Sequence, residues 1–244
     1  MKNTVIIIPS RLEAKRFPNK PLAKINNMPM IMHVFNRAKE SNVGEVFVAT
    51  PDKEIYRVIV ENGGKSILTS GNPASGSDRV YEAYSSKLTT NFDLIINLQG
   101  DMPNIKSDSI LKLEQLMRKN KSSIGTLASK IKTRDITDPN IVKVKVNKSL
   151  KDDDFLDAQD FFRIKKDLNN EKIYHHIGIY AFTNIALTEY VSLSRSKLEK
   201  ERNLEQMRAM ENNLVIKVGL CDSAPLGVDT EKDLIEVKKE MNKL

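Results

Sequence analysis

The sequence predicts an α/β protein on a mixed, mainly parallel sheet with a small β-rich lobe, and three observations carry that prediction. An unbroken apolar run, Val5-Ile6-Ile7-Ile8, has the length and composition of a strand covered on both faces. Short runs of the same kind then alternate with amphipathic segments of helical period, which is the pattern of βαβ units. After Asp138-Pro139 the alternation gives way to strands around a polar stretch rich in aspartate.

Taken in order, strands are expected at 5–8, 45–49, 66–68, 94–98 and 124–129, with helices between them at 30–40, 53–62, 78–86 and 107–119. Gly63-Gly64 stops the second helix, because glycine accepts the left-handed geometry of a helix end. In the second half, 141–146 and 177–182 read as strands, and 148–160 reads as the polar stretch between them. Helices at 198–212 and 231–241 flank a last strand at 215–220. No internal repeat or low-complexity segment interrupts the pattern.

Composition bounds the function classes. With 244 residues, 40% hydrophobic and 29% charged, the chain is long enough to bury a large core. No apolar run approaches the roughly 18 residues of a membrane helix, so no membrane insertion is expected. The single cysteine, Cys221, excludes an internal disulfide framework and suits a reducing, cytoplasmic setting. A formal charge of +7 raises the question of nucleic acid. The lysines are scattered, however, and no RNA-binding signature accompanies them, so a small anionic substrate is the better expectation.

The first strand runs directly into Pro9-Ser10-Arg11, and the loop from there to Lys20 carries Arg11, Lys15, Arg16 and Lys20. Cations at the carboxyl end of a parallel strand stand where open α/β sheets bind ligands, and they match the charge of a polyphosphate. The loop has neither the glycines of a dinucleotide fingerprint nor a P-loop, which argues against a dehydrogenase or a common ATPase. A solvated basic loop is the plain alternative. The run Asn97-Leu98-Gln99-Gly100-Asp101-Met102-Pro103 ends another strand in a carboxylate, which can serve as a Mg²⁺ ligand or as a turn residue. Gly227-Val228-Asp229-Thr230 precedes the last helix, so Asp229 or Thr230 reads either as its N-cap or as a second metal-side carboxylate. Ser75-Gly76-Ser77-Asp78-Arg79 opens a helix in a way that suits an anion or a nucleotide edge.

Together these segments resemble the sugar nucleotidylyltransferases, and within them the 3-deoxy-manno-octulosonate cytidylyltransferases. The resemblance spans nearly the whole chain. It rests on Ile8-Pro9-Ser10-Arg11, Arg16 to Leu22, Met28 to Val34, Val48-Ala49-Thr50, Ser75 to Arg79, Asn97 to Asp101, His176-Ile177-Gly178-Ile179-Tyr180, Leu204 to Arg208 and Gly227 to Thr230. It implies a Rossmann-like nucleotide-diphospho-sugar transferase fold in one domain. About 1–135 would form the CTP-binding core, about 136–226 a sugar-binding and dimerisation lobe, and 227–244 a metal-ligand turn and helix returning to the core. It further implies that Arg11, Arg16, Lys20 and Asp101 act in catalysis, that Pro9, Ser10, Arg11, Lys20, Ser75, Gly76, Arg79 and Gln99 hold CTP, and that Asp101 and Asp229 bind Mg²⁺. His176, Tyr180, Glu205 and Gln206 would line the pocket for an acidic keto-sugar. The implied product is a CMP-sugar for lipopolysaccharide synthesis, and the implied assembly is a homodimer. Without the resemblance, His176 reads as a packed strand histidine, and Glu205 and Gln206 as exposed helix residues.

Three departures stand out. Met102 replaces the family's glutamate, Asn19 stands where glycine is usual, and Asp157, in Phe155-Leu156-Asp157-Ala158, replaces an arginine. If Asp157 faced the sugar, it would favour an amino-substituted octulosonate, or another keto-sugar acid such as a sialic acid. Arg163 or Lys165 could restore the lost charge from nearby. A fold kept without turnover is the remaining alternative, against which Arg11, Lys20, Asp101 and Asp229 all stand. Asp152-Asp153-Asp154 reads as a solvated loop.

Overall fold

A computed structural model describes residues 3–14, 16–71, 73–88, 92–164 and 171–242. In chain order its elements are β1 (Thr4–Pro9), β2 (Lys24–Ile25), β3 (Met28–Pro29), α1 (Met30–Glu40), β4 (Glu45–Thr50), α2 (Lys53–Glu61), β5 (Lys65–Leu68), α3 (Gly76–Lys87), β6 (Leu94–Leu98) and α4 (Ser107–Asn120). They continue with β7 (Ile124–Lys130), β8 (Lys143–Val146), β9 (Phe155–Phe162), β10 (Lys172–Thr183), α5 (Asn184–Ser192), α6 (Lys197–Arg202), α7 (Met207–Glu211), β11 (Ile216–Leu220) and α8 (Glu231–Met241). The chain divides into two compact units. One holds the residues up to Leu111 and those from Pro225 onward; the other is Lys112–Ala224.

The first unit is built on parallel strands in the order β5-β4-β1-β6. Val5, Ile6, Ile7 and Ile8 are fully buried at its centre, as the continuous apolar run requires. The chain leaves β1 toward β4 on one side and later returns to its other side as β6. The carboxyl ends of β1 and β6 therefore flank the point where strand order reverses, which is where α/β sheets bind ligands. A separate core of Ile25, Met30, Val228, Leu234 and Val237, with Phe17 packed against it, brings α8 onto this unit. Thr230 caps α8 through a reciprocal box with Asp233, in which the Thr230 Oγ1 accepts from Asp233 N at 3.3 Å and Asp233 Oδ2 accepts from Thr230 N at 2.8 Å. Of the two cap candidates, then, Thr230 caps and the Asp229 carboxylate is left for other partners.

In the second unit β7 lies between β10, antiparallel, and β11, parallel. β9 pairs antiparallel with both β11 and β8, and β8 pairs also with β10, so the five strands close into a ring. The polar reading of 148–160 missed β9, whose Phe155-Leu156-Asp157-Ala158 alternation was overshadowed by Asp152 to Asp154. Those aspartates do lie in a turn, where Asp152 pairs with Lys112. The helix expected at 198–212 is two short helices, because Asn203 takes a left-handed φ of 52° and ends α6. β10 begins five residues earlier than expected, at Lys172, and α5 was not anticipated.

Candidate active site

The loop after β1 lies open at the sheet's carboxyl edge. Asn19, at φ 59°, occupies the left-handed conformation for which glycine is usual; asparagine is the residue that best tolerates it, so the substitution keeps the turn. Pro21 then starts a 3₁₀ turn that aims Lys20 back across the strand ends. The Lys20 ammonium is only 14% exposed in its side chain and reaches Asp101 Oδ2 at 3.0 Å, Asp229 Oδ1 at 3.6 Å and the carbonyl of Val228 at 2.6 Å. Arg16 meets the other oxygen of Asp229 at 2.9 Å. The backbone fixes this meeting, since Val228 N donates to Asp101 O at 2.9 Å. Asp101 and Asp229, 128 positions apart in the chain, thus share one counter-cation.

Lys20 and Asp101 line a cleft of about 330 Å³ together with Pro9, Ser10, Arg11, Ser75, Gly76, Arg79 and Gln99. Every nucleotide-side residue expected from the sequence is therefore gathered within one unit. Gly76 packs close to both strand ends: a Cβ there would lie in ordinary contact with Gln99 Nε2 at 3.4 Å and with Pro9 at 3.7 Å, so the start of α3 stands directly beside the ends of β1 and β6. Ser75 caps α3 and donates to Asp78 Oδ2 at 2.7 Å. Gln99 is oriented through Asn97, whose amide donates to Ser77 Oγ at 3.1 Å. The Ser10 hydroxyl is buried and has no hydrogen-bond partner among the described residues. Arg79 is almost fully buried, and its guanidinium grips Thr69 Oγ1 at 2.5 Å and Ser70 O at 3.0 Å. Burial, and then the charge of Arg11, draw it below the ordinary guanidinium value. Met102 is buried, away from solvent. Lys15 lies outside the described residues.

Among the described residues no group of three or more His, Cys, Asp or Glu forms a metal cage. The pair Asp101 and Asp229 nevertheless fits a divalent cation of the magnesium kind, which takes one or two carboxylates and completes its shell with water and substrate phosphates. In this structure the Lys20 ammonium supplies the positive charge that faces both carboxylates.

In the second unit, rings line up along β10: Phe161 to His176 at 5.1 Å, His176 to Tyr180 at 5.4 Å, Tyr180 to Phe182 at 6.1 Å and Phe182 to Tyr190 at 5.6 Å. Thr126 donates its hydroxyl to Ile179 O at 2.6 Å and so accepts from His176 Nε2 at 3.1 Å, leaving Nδ1 as the ring's acceptor. Burial, with the nearby His175, pushes the His176 pKa down to about 3, so the ring is neutral. The Tyr180 hydroxyl is buried without a hydrogen-bond partner among the described residues, and burial with the charge of Glu205 raises its pKa well above the ordinary value. Gln206 is buried and Glu205 half-buried; they form the turn entering α7 and are not exposed helix residues. Tyr190 holds that turn by donating to Glu205 O at 2.8 Å, and its ring carries Arg208 at 4.9 Å. Arg208 in turn makes a bidentate pair with Glu199, both bonds at 2.9 Å. Neither Tyr190 nor this buried pair was visible as a site support in the sequence.

Asp157 lies elsewhere. Along the ladders, Asp157 pairs with Lys217 and Lys217 with Gly125, whereas Leu156 pairs with Val218, Val218 with Thr126 and Thr126 with Tyr180. Ladder partners share a face and neighbours in a strand alternate, so Asp157 is on the face opposite His176 and Tyr180. Its carboxylate meets Lys217 Nζ at 2.5 Å. Arg163 binds the carbonyls of Pro139 and Asn140, and Lys165 lies outside the described residues.

Parallel strands with a cation-rich loop and a carboxylate pair at the switch point define a nucleotide-binding α/β protein of the nucleotidyltransferase class. The comparisons narrow it. The cytidylyltransferase family model matches residues 5–218. A 3-deoxy-manno-octulosonate cytidylyltransferase of Thermodesulfovibrio yellowstonii is 42% identical over 98% of both chains, and one of Brucella canis is 41% identical over 95% of this chain and 92% of its own. The solved structure of CMP:2-keto-3-deoxy-manno-octonic acid synthetase complexed with CTP superposes with a TM-score of 0.89 at 34% identity, covering 98% of each chain. A 4-diphosphocytidyl-2C-methyl-D-erythritol synthase of Anaerococcus prevotii, at 14% identity and a TM-score of 0.67, shares the fold. The chain belongs to the cytidylyltransferase family, in the branch of the 3-deoxy-manno-octulosonate cytidylyltransferases. No described helix is long and apolar enough to cross a membrane.

Proposed function

We propose that the protein transfers CMP from CTP to the anomeric hydroxyl of 3-deoxy-manno-octulosonate, giving the CMP-sugar and pyrophosphate for lipopolysaccharide assembly. The observation that carries this reading is the Lys20 bridge between Asp101 and Asp229, with Lys20 and Asp101 lining one cleft with Arg11, Ser75, Gly76 and Gln99. The likeness in sequence to the octulosonate enzymes supports the choice of sugar.

In this reading Arg11, Arg16 and Lys20 meet the triphosphate, and Ser10, Ser75, Gly76, Arg79 and Gln99 frame the nucleotide. Asp101 and Asp229 hold Mg²⁺, which when bound supplies charge against the phosphates. Lys20 exchanges its carboxylate partners for phosphate oxygens, so its positive charge is already in place as charge develops on the leaving pyrophosphate. The sugar hydroxyl attacks the α-phosphorus in line, the bond from that phosphorus to the β-phosphate oxygen breaks, and no covalent enzyme intermediate is needed. His176, Tyr180, Glu205 and Gln206 recognise the sugar. Tyr180 has a hydroxyl to donate and neutral His176 an acceptor nitrogen, which suits a polyhydroxylated ligand. Asp157, paired with Lys217, takes no part in choosing the sugar.

The test is pyrophosphate release with CTP, Mg²⁺ and the octulosonate, with the CMP-sugar identified by mass spectrometry. Turnover is expected with CTP and not with ATP or GTP, because a site built for cytosine leaves its donors unpaired with another base. Equal rates with ATP would move the protein to another nucleotidyltransferase branch. The same reading, on family resemblance, has the protein working in the cytoplasm as a homodimer; light scattering at the monomer mass across micromolar concentrations would reject the dimer.

A further inference from the structure

The loop that carries Arg11 and Arg16 is held from outside itself. Ser10 N donates to Ala49 O at 2.9 Å, Leu12 N donates to Asp52 Oδ2 at 2.7 Å, and Leu12 O accepts from Asn19 N at 3.1 Å. Both backbone groups of Leu12 are therefore engaged, and Arg11 sits between two anchored neighbours. Two of the three anchors come from the end of β4 and the turn after it: Ala49 lies in β4, and Asp52 stands just before α2.

Asp52 is the unusual member. It stands at the N-cap of α2, where an aspartate ordinarily accepts from its own helix, yet its side chain caps nothing there. It reaches instead to a loop 40 residues earlier in the chain. Its own backbone is set for this reach by Asp52 N donating to Thr50 Oγ1 at 3.1 Å. A half-buried carboxylate in this place is also a local counter-charge: Arg79 feels Asp52 and Arg11 with opposite signs. Glu82 acts on Arg79 in the same sense, but of the two carboxylates only Asp52 also bonds the loop that carries Arg11.

We propose that Asp52 is a positioning residue for nucleotide binding, fixing through the Leu12 amide the backbone from which Arg11 addresses the triphosphate. This rests on the reading of the cleft as the CTP site. It acts on the nucleotide and not on the sugar, because the group its carboxylate bonds, the Leu12 amide, belongs to the phosphate loop. What it supplies is a hydrogen-bond acceptor oxygen, which asparagine also has and alanine lacks.

The experiment compares the wild-type protein with Asp52→Ala and Asp52→Asn by calorimetric CTP titration and by steady-state kinetics varying each substrate. Asp52→Ala is expected to raise the Kd and KM for CTP about tenfold, the effect of losing one hydrogen bond to a charged acceptor, while the KM for the sugar and kcat stay within about twofold. Asp52→Asn should return CTP affinity to within about threefold of wild type. The proposal is overturned if Asp52→Ala binds CTP normally, if Asp52→Asn is as weak as Asp52→Ala, or if the alanine variant raises the sugar KM and lowers kcat as much as it affects CTP. A wild-type protein that binds no CTP in the same titration would instead reject the reading of the cleft, and the proposal with it.

Discussion

Lys20→Met tests the centre of the site, because it keeps most of the stem while deleting an ammonium that donates to Asp101 and the Val228 carbonyl and pairs at longer range with Asp229. Two consequences differ in size. For the fold, the abandoned carboxylates retain water, their side chains being 34% and 48% exposed, so each lost ion pair is screened to about 1 kcal/mol or less. The lost bond to Val228 adds about 1 kcal/mol. A total near 2 kcal/mol lowers the melting temperature of a protein this size by roughly 4–8 °C. For the reaction, a preplaced cation facing a developing charge is worth about 3 kcal/mol, or roughly two orders of magnitude in kcat. A coupled pyrophosphate assay and a thermal melt read the two effects separately. Turnover within tenfold of wild type would refute the catalytic assignment, and a melt depressed by more than about 15 °C would make Lys20 a structural residue.

Asp157→Arg should replace a surface ion pair with repulsion against Lys217, costing about 0.5–1 kcal/mol in chemical unfolding while leaving the KM for the octulosonate within twofold; a KM shift beyond tenfold would mean that Asp157 reaches the sugar after all. Arg208→Met should cost about 2–3 kcal/mol, because Glu199, at 2% exposure, loses its bidentate partner and keeps Arg195 and the Ser196 amide, and a urea midpoint unchanged from wild type would contradict that. Burial alone would raise the Glu199 pKa, but its bonds to Arg208 and Arg195 outweigh burial and lower it. Its stabilisation is therefore complete above the ordinary carboxylate pKa and is lost as pH falls below it, so a Glu199→Gln variant should show a flatter acid limb in urea midpoints. His176 is also depressed, to about 3 from 6.5, so the unfolded chain binds its proton first and stability declines as pH drops from about 6.5 toward 3. His176→Gln should remove that part of the slope, and an unaltered slope would show the ring to be solvated.

The cation-rich loop, the strand-end Gln99-Gly100-Asp101 and the helix opening at Ser75 were legible because each is local: a strand covered on both faces ends, and chemistry-bearing residues follow within a few positions. The parallel order was legible from alternation for the same reason. β9 and the break at Asn203 were not. A strand with one partly solvated face and aspartates around it carries little apolar signal, and a left-handed asparagine inside a helical pattern looks like any polar helix residue.

What the sequence determined alone is therefore the list of parts: an α/β core, a polyphosphate-sized cluster of cations, and carboxylates at strand and helix ends. The tertiary structure decided which of them meet. Asp229 reaches Lys20 because Leu234 and Val237 bury α8 against Ile25 and Met30, a contact no local pattern encodes. Asp157 is excluded from the side of His176 because strand register alternates faces, so a shift of a single position would have reversed the answer. Asp52 holds the N-cap position of its own helix, and only the packing of β4 beside β1 brings its side chain to Leu12.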